Sequence, residues 1–153
     1  MEFIIIVIGL VLDRITKVWA SGTLMKSQEI VIIKDIFSFS YLENRGAAFG
    51  IFQNKVLPLA IITILIICCI IYYLIKYKPA SKLFKLSTAI IISGALGNLF
   101  DRLYYKYVVD FIMLHYKETY YFPTFNVADM MVVIGTALMV LYLLKEETNN
   151  GKN

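Results

Sequence analysis

The sequence predicts an all-α integral membrane protein with four transmembrane helices and a small extracytoplasmic β-sheet. Hydrophobic residues make up 59% of the 153 residues, against roughly 45–50% in soluble domains. Charged residues make up 17%, against roughly 25% in soluble domains. The apolar residues form runs close to the about 20 residues that cross a bilayer, and a domain of this size cannot bury such runs in one core. An ordinary soluble protein is therefore excluded.

Four apolar segments are the predicted spans, at residues 3–20, 56–75, 86–102 and 127–144. The second span contains no charge, whereas the first contains Asp13, Arg14 and Lys17. The first segment opens with Glu2 rather than with basic residues and has no small-residue cleavage site. We therefore expect a retained helix and not a secretory signal. The chain, residues 1–153, is predicted to be one membrane-embedded domain.

Lysines concentrate in the polar stretch between the second and third spans. This stretch contains Lys76, Lys78, Lys82 and Lys85. The positive-inside rule places such a stretch in the cytoplasm. Both termini are then cytoplasmic, and residues 21–55 and 103–125 are extracytoplasmic. The net charge of +4 is explained by this topology, so no nucleic-acid partner is expected.

The two outer segments are predicted to contain the sheet and a loop. Residues from about 28–42 hold two β-prone apolar runs on either side of Lys34 and Asp35, a pattern typical of a hairpin. Residues 43–50 are polar and then rich in glycine and alanine, which favours a re-entrant turn. The second outer segment is rich in tyrosine, as the membrane–water boundary prefers. We expect its residues 111–122 to be a loop that closes as a lid.

The pattern of cysteine and histidine gives no reason to expect a metal or another cofactor. Cys68 and Cys69 are adjacent in the most apolar segment, where neither a disulfide framework nor a metal site is expected. His115 is the only histidine. The chemistry of the protein must then come from other side chains.

Aspartates are the first candidates for that chemistry. Four of the five lie in or at the ends of apolar segments, namely Asp13, Asp101, Asp110 and Asp129. An ionised carboxylate at the bilayer centre costs about 2.5–3.5 kcal/mol on insertion scales, so such residues usually face a polar cavity and have a function. Asp110 lies in a short apolar run with no obvious cation beside it, and a capping role is not evident there.

Local spacing suggests partners for two of the other acids. Asn98 precedes Asp101, and Asn126 precedes Asp129, each by three residues. On a helix this spacing puts the amide and the carboxylate on one face, so we expect each amide to orient its own acid. An ordinary capping pair is the alternative for Asn126 and Asp129.

Ion pairs and helix packing explain several other polar and small residues. Asp13 and Lys17 have the spacing of a pair along the first helix. Asp101 can pair with Arg102, unless Arg102 serves another carboxylate. Gly94, Ala95 and Gly97 form a small-residue face that suits close helix packing, and a contact with substrate backbone is compatible with it.

Five sequence blocks together resemble the signature of the lipoprotein signal peptidase (signal peptidase II) family. The blocks are DRITK at 13–17, NRGAAF at 44–49, GALGNLFDR at 94–102, VVDF at 108–111 and FNVAD at 125–129. Their order, spacing and four-span setting fit the family over almost the whole chain. One position departs from it, because Ser93-Gly94 stands where many members have two glycines.

The resemblance implies a bacterial inner-membrane aspartyl endopeptidase. Such an enzyme removes the signal peptide of prolipoproteins, cutting before a cysteine that carries diacylglycerol, at a site near the outer face of the membrane. The resemblance assigns catalysis to Asp110 and Asp129 and implies neither a metal nor a cofactor; we expect a monomer. The supporting or substrate-binding residues that it implies are Asp13, Lys17, Asn44, Gly46, Asn98, Asp101, Arg102 and Asn126.

The chemistry of two carboxylates agrees with that implication. Two close carboxylates cannot readily ionise together, so one can act as base toward water while the other donates a proton. A different class of intramembrane protease uses a Gly-x-Gly-Asp motif, which is not present in the GALGN stretch at 94–98. A small ion-coupled transporter or a non-catalytic membrane subunit is the alternative from another class, because intramembrane acids also relay protons.

Overall fold

The computed structural model describes residues 1–26, 29–47 and 51–150, and contains four long helices and a four-stranded sheet in these parts. The helices are α1 (Glu2–Thr23), α2 (Val56–Tyr77), α3 (Lys82–Tyr104) and α4 (Val127–Asn150). The strands are β1 (Ile30–Ile33), β2 (Phe37–Asn44), β3 (Val108–Tyr116) and β4 (Tyr120–Tyr121). Residue 28 of the predicted β segment and residues 48–50 of the predicted turn lie outside the described residues.

Within the described residues, three helices are long and apolar enough to cross a membrane. They are α2, α3 and the part of α4 from Val127 to Thr148. The remaining long helix, α1, includes Asp13, Arg14 and Lys17. The side chain of Ser81 caps α3 by accepting a hydrogen bond from the Phe84 backbone N–H at 3.3 Å, which explains why this helix begins before the apolar run does.

Helix α3 lies at the centre of the bundle and packs against α1, α2 and α4. Two glycines on α3 permit this close packing. A Cβ atom at Gly94 would overlap the backbone carbonyl of Ala128 on α4, and one at Gly97 would meet the Asp13 carboxylate on α1 at 2.5 Å. The predicted role of these glycines in helix packing is confirmed. Ser93 fits because Gly9 leaves room on α1, and its hydroxyl donates to the Ile6 carbonyl at 3.1 Å.

The antiparallel sheet has the order β1-β2-β3-β4 and is larger than predicted. The expectation of a loop at residues 111–122 is wrong, because most of this segment continues the sheet as β3 and β4. Its β-branched and aromatic side chains suit a strand once β2 supplies the partner.

A β-bulge interrupts the pairing of β2 with β3. Phe39 pairs with Ile112 and Leu42 with Asp110, so β2 contains one more residue than β3 between these two pairs. Beyond the bulge, Asn44 pairs with Val108. Paired residues point to the same side of a sheet, so Asn44 and Asp110 become diagonal neighbours.

The sheet is attached to the C-terminal part of α1 by an apolar cluster. Ala20 of α1 and Leu24, which caps the C-terminus of this helix, pack against Val109 and Phe111 of β3. The ring of Trp19 contacts the Phe111 ring at a centroid distance of 6.0 Å. The sheet therefore lies at one end of the helices, and Asp110 is held at the junction between the sheet and the bundle.

Candidate active site

Asp110 and Asp129 line one cavity of about 730 Å³. Asp110 lies near the start of β3 and Asp129 in the first turn of α4. Only 1% of the Asp110 surface is exposed. Asn44, Asn98 and Arg102 also line this cavity. Apolar residues of three helices form a large part of the remaining wall, including Ile66, Ile91, Ala95, Met130 and Val133.

Two amide groups hold the Asp110 carboxylate. Asn44 Nδ2 donates to Asp110 Oδ2 at 2.8 Å, and Asn126 Nδ2 donates to Asp110 Oδ1 at 2.6 Å. Burial raises the pKa of Asp110 to about 7, and the negative charge of Asp129 adds to this rise against the opposing effect of the two amides. A carboxyl group with this pKa changes between its protonated and ionised forms near neutral pH.

Asp129 is held by an amide and by the start of its own helix. Asn98 Nδ2 donates to Asp129 Oδ1 at 2.7 Å. The Asn126 backbone N–H donates to Asp129 Oδ2, and the Asp129 backbone N–H donates to Asn126 Oδ1, both at 3.0 Å. These reciprocal bonds form a capping box, so the capping interpretation of this pair is confirmed.

The two acids are joined through two asparagines. Asn126 Nδ2 also donates to Asn98 Oδ1, at 3.1 Å, so hydrogen bonds connect Asp110, Asn126, Asn98 and Asp129 in that order. The expectation that Asn98 orients Asp101 is wrong. Packing of α3 on α4 brings the amide of Asn98 to Asp129 instead.

A buried ammonium group lies behind the asparagines. Lys17 is completely buried, and its Nζ is 3.0 Å from Asp13 Oδ2 and 3.0 Å from Asp101 Oδ2. The predicted pair of Asp13 and Lys17 is confirmed. Lys17 Nζ also donates to Asn98 Oδ1 at 2.9 Å. The ionic cluster thus reaches the hydrogen-bonded chain between the two acids.

Asp101 pairs with α1 and not with its neighbour Arg102. Its carboxylate contacts Lys17 and also Arg14, whose NH1 is 3.1 Å from Asp101 Oδ1. It further accepts the backbone N–H of Val109 at 3.2 Å, one residue before Asp110. The expected pair of Asp101 with Arg102 is therefore wrong, because successive residues of a helix point in different directions.

Arg102 faces the cavity with the two acids. Its NH2 donates a long hydrogen bond of 3.5 Å to the Gly46 carbonyl. The Gly46 backbone N–H in turn donates to Asn44 Oδ1 at 2.9 Å. A Cβ atom at Gly46 would lie 2.8 Å from the Ile51 carbonyl, so the fold of this turn requires glycine. Gly46 thus contributes backbone atoms that hold Asn44 and Arg102.

Arg14 and the apolar wall of the cavity are parts of the site that the sequence did not predict. The Arg14 guanidinium lies between two rings, 5.3 Å from the Phe100 centroid and 5.4 Å from the Tyr105 centroid. Its place in the DRITK block was the available signal. Asp13 extends the same network to α4, since its Oδ1 accepts the Ala128 backbone N–H at 3.1 Å.

All ten residues predicted for the site lie in this connected region, either on the cavity or in the network behind it. Among the described residues, no group of three or more His, Cys, Asp or Glu side chains is placed to hold a metal ion. The arrangement offers two carboxylates of different surroundings beside an apolar cavity. Such a pair can activate water on one side and donate a proton on the other.

Comparison with known proteins finds one family over most of the chain. The family model for signal peptidase (SPase) II matches residues 5–145. A lipoprotein signal peptidase of Clostridium novyi (strain NT) is 58% identical over 146 residues, covering 95% of this chain and 99% of that protein. One of Clostridium acetobutylicum is 52% identical over 153 residues, covering 99% of each. A bacterial membrane enzyme solved by the in meso method at 2.3 Å resolution is 32% identical, with a TM-score of 0.87 over 97% of this chain and 90% of that chain.

Proposed function

Because the chain belongs to the signal peptidase II family, whose members are aspartic peptidases that remove signal peptides from prolipoproteins, we propose that Asp110 and Asp129 are the catalytic pair of this activity. The observation that carries the proposal is the chain of hydrogen bonds from Asp110 through Asn126 and Asn98 to Asp129. These hydrogen bonds hold both carboxylates at one cavity, and the surroundings of the two carboxylates differ.

In the proposed reaction the pair shares one proton. The ionised carboxylate takes a proton from water as the oxygen attacks the scissile carbonyl, and the protonated carboxyl stabilises the developing oxyanion by donating a hydrogen bond. We assign the resting proton to Asp110, because burial and the charge of Asp129 raise its pKa to about 7. Collapse of the tetrahedral intermediate then transfers a proton to the leaving amine.

The remaining polar residues are proposed to position this pair. Asn44, Asn98 and Asn126 fix the carboxylate orientations by donating hydrogen bonds. Arg102 supplies a positive charge on the same cavity, which favours the ionised member of the pair. Asp13, Lys17 and Asp101 hold α1, α3 and the start of β3 together behind the asparagines.

The membrane placement that fits this reaction has α1 to α4 all spanning the bacterial inner membrane, with the termini cytoplasmic and the sheet outside. Asp13 and Lys17 are compatible with a spanning α1, because they are buried and paired.

A monomer suffices, because one chain contributes both acids. The apolar wall of the cavity suits a signal helix whose scissile bond precedes a diacylglyceryl cysteine. Since residues 111–122 are mostly strand, any movement over substrate would involve the β3–β4 hairpin.

Cleavage of a diacylglyceryl-modified prolipoprotein by the detergent-purified protein tests the proposal. We expect cleavage that resists a chelator, and a loss of at least about 10³-fold in kcat for Asp110→Asn and for Asp129→Asn, as for other groups that act directly in proton transfer. Asp35→Asn is the matched control, because Asp35 is an exposed turn residue with a φ of 63° that asparagine tolerates.

Two results would contradict the assignment. Cleavage retained in either of the two cavity variants would remove that aspartate from the pair. Absence of cleavage by a folded wild-type protein would contradict the peptidase activity itself.

A further inference from the structure

A second cavity, of about 580 Å³, lies at the end of the helices opposite the sheet. It is formed where α2 ends, α3 begins and α4 nears its C-terminus, and its lining includes Tyr77, Ser81, Tyr142 and Lys145. It shares no lining residue with the cavity that contains Asp110 and Asp129. The proposed peptidase reaction gives this second cavity no role.

Aromatic rings form an ordered wall of this cavity. The ring of Phe84 packs against Tyr73 at a centroid distance of 5.5 Å and against Tyr142 at 5.2 Å. Tyr73 also packs against Tyr77 at 4.7 Å. Such rings with hydroxyl groups suit the boundary between lipid chains and headgroups. The wall therefore offers apolar contact of a kind that a small free anion does not use.

Positive charge borders the cavity. Lys145 is in its lining. Glu146 also lines the cavity, and its carboxylate accepts a hydrogen bond from Tyr142. Lys76 Nζ lies 5.2 Å from the centroid of the Tyr77 ring. Lys82 follows the lining residue Ser81 and is exposed. We refer to Lys76, Lys82 and Lys145 as the lysine rim.

We propose that this cavity binds the headgroup of an anionic phospholipid, with the phosphate held by the lysine rim and the glycerol region against the tyrosine wall. The proposal rests on the membrane placement given under the proposed function, which puts this end of the bundle at the cytoplasmic headgroup layer. Anionic lipids are attracted to basic segments at that layer. The aromatic wall next to the lysine rim favours a lipid over a free phosphate ion.

Native mass spectrometry of the detergent-purified protein tests this, with phosphatidylglycerol and phosphatidylcholine of the same acyl chains added separately. We expect preferential retention of phosphatidylglycerol. The double variant Lys82→Gln/Lys145→Gln should weaken that retention by about fivefold for each lysine removed, whereas Lys82→Arg/Lys145→Arg should retain it. Lys34→Gln is the matched control, because Lys34 is exposed in the turn between β1 and β2.

Equal retention of the two lipids, or unchanged phosphatidylglycerol retention in the double glutamine variant, would overturn the proposal. Displacement of the lipid by millimolar inorganic phosphate would also overturn it, since the cavity would then recognise phosphate alone. The readout does not involve cleavage, so its failure is distinguishable from failure of the peptidase assignment. Exposed lysine-to-glutamine changes leave the helices intact, and a thermal unfolding curve verifies this.

Discussion

Burial and the charge of Asp129 raise the pKa of Asp110 to about 7, and this single group sets an upper pH limit for the proposed reaction. Below that pH, Asp110 retains its proton and the pair has one acid and one base. Above it, both carboxylates are ionised and the proton donor is lost. We therefore expect kcat/KM, which reports ionisations of the free enzyme, to fall with a midpoint near pH 7 on the alkaline side, measured as a pH profile of prolipoprotein cleavage.

The Asn44→Leu variant separates this cause from general effects of pH. The amide of Asn44 lowers the pKa of Asp110 by donating a hydrogen bond to the ionised form. Its removal should move the alkaline midpoint to higher pH while reducing kcat. A midpoint that stays in place would show that Asp110 is not the group that titrates.

Lys17 supports the site through charge balance. Its ammonium group is completely buried between Asp13 and Asp101. Lys17→Met leaves two buried carboxylates without their shared cation, so we expect the free energy of unfolding to fall by about 3–5 kcal/mol. Thermal unfolding in detergent measures the loss, with Lys34→Met as the exposed control.

A second substitution tests whether charge is the cause. Adding Asp13→Asn to Lys17→Met removes the carboxylate that has lost its cation, whereas Asp101 still pairs with Arg14, so part of the stability should return. An additive loss in the double variant would instead indicate that Lys17 acts by filling space.

At the scale of the elements, the close packing of α3 against α4 depends on Gly94, which has no side chain. A Cβ atom there would overlap the Ala128 carbonyl, which is backbone and cannot rotate away. We expect Gly94→Ala to lower the stability by about 1–3 kcal/mol, as overpacking does elsewhere. Gly22→Ala is the matched control, because nothing lies within 4 Å of its added Cβ. Equal unfolding temperatures for the two variants would show that α3 and α4 can move apart at no cost.

The sequence predicted the helices well because their signal is local. The second span was expected at residues 56–75 and α2 is Val56–Tyr77. The fourth was expected at 127–144, and α4 continues to Asn150 through charged residues, since a helix does not require apolar residues once it leaves the apolar layer. Strand β3 escaped prediction because its partner β2 is about 70 residues away in the chain, and no local pattern specifies that pairing.

The site was predicted as a set of residues but not as a set of contacts. Asp110 and Asp129 were identified from acids in apolar segments together with the family resemblance. The sequence pairs Asn98 with the wrong acid. Its spacing to Asp101 follows from a single helix, whereas its hydrogen bond to Asp129 depends on how two helices pack. Arg14 was missed for the same reason, since its partner Asp101 lies on another helix.

At the scale of the whole molecule, the proposed topology places the two cavities near opposite faces of the membrane. Cysteine labelling in intact cells measures it, in a background with Cys68→Ser and Cys69→Ser. We expect Lys34→Cys to react with a membrane-impermeant maleimide directly, and Lys76→Cys to react only after permeabilisation, because lysine-rich loops stay inside. Labelling of both in intact cells, or of Lys76→Cys alone, would reverse or reject the placement.

The bulge in β2 decides which residue of this strand lies opposite each residue of β3. A strand alternates its side chains between two faces, so regular pairing from Phe39 onward would set Glu43, and not Asn44, opposite Val108. A third carboxylate would then take the place of the amide beside Asp110. The extra residue shifts β2 by one position, so Phe39 and Asn44 both lie on the side of the sheet that Asp110 faces. One inserted residue thereby decides whether the carboxylate of Asp110 accepts a hydrogen bond from an amide or lies beside another acid.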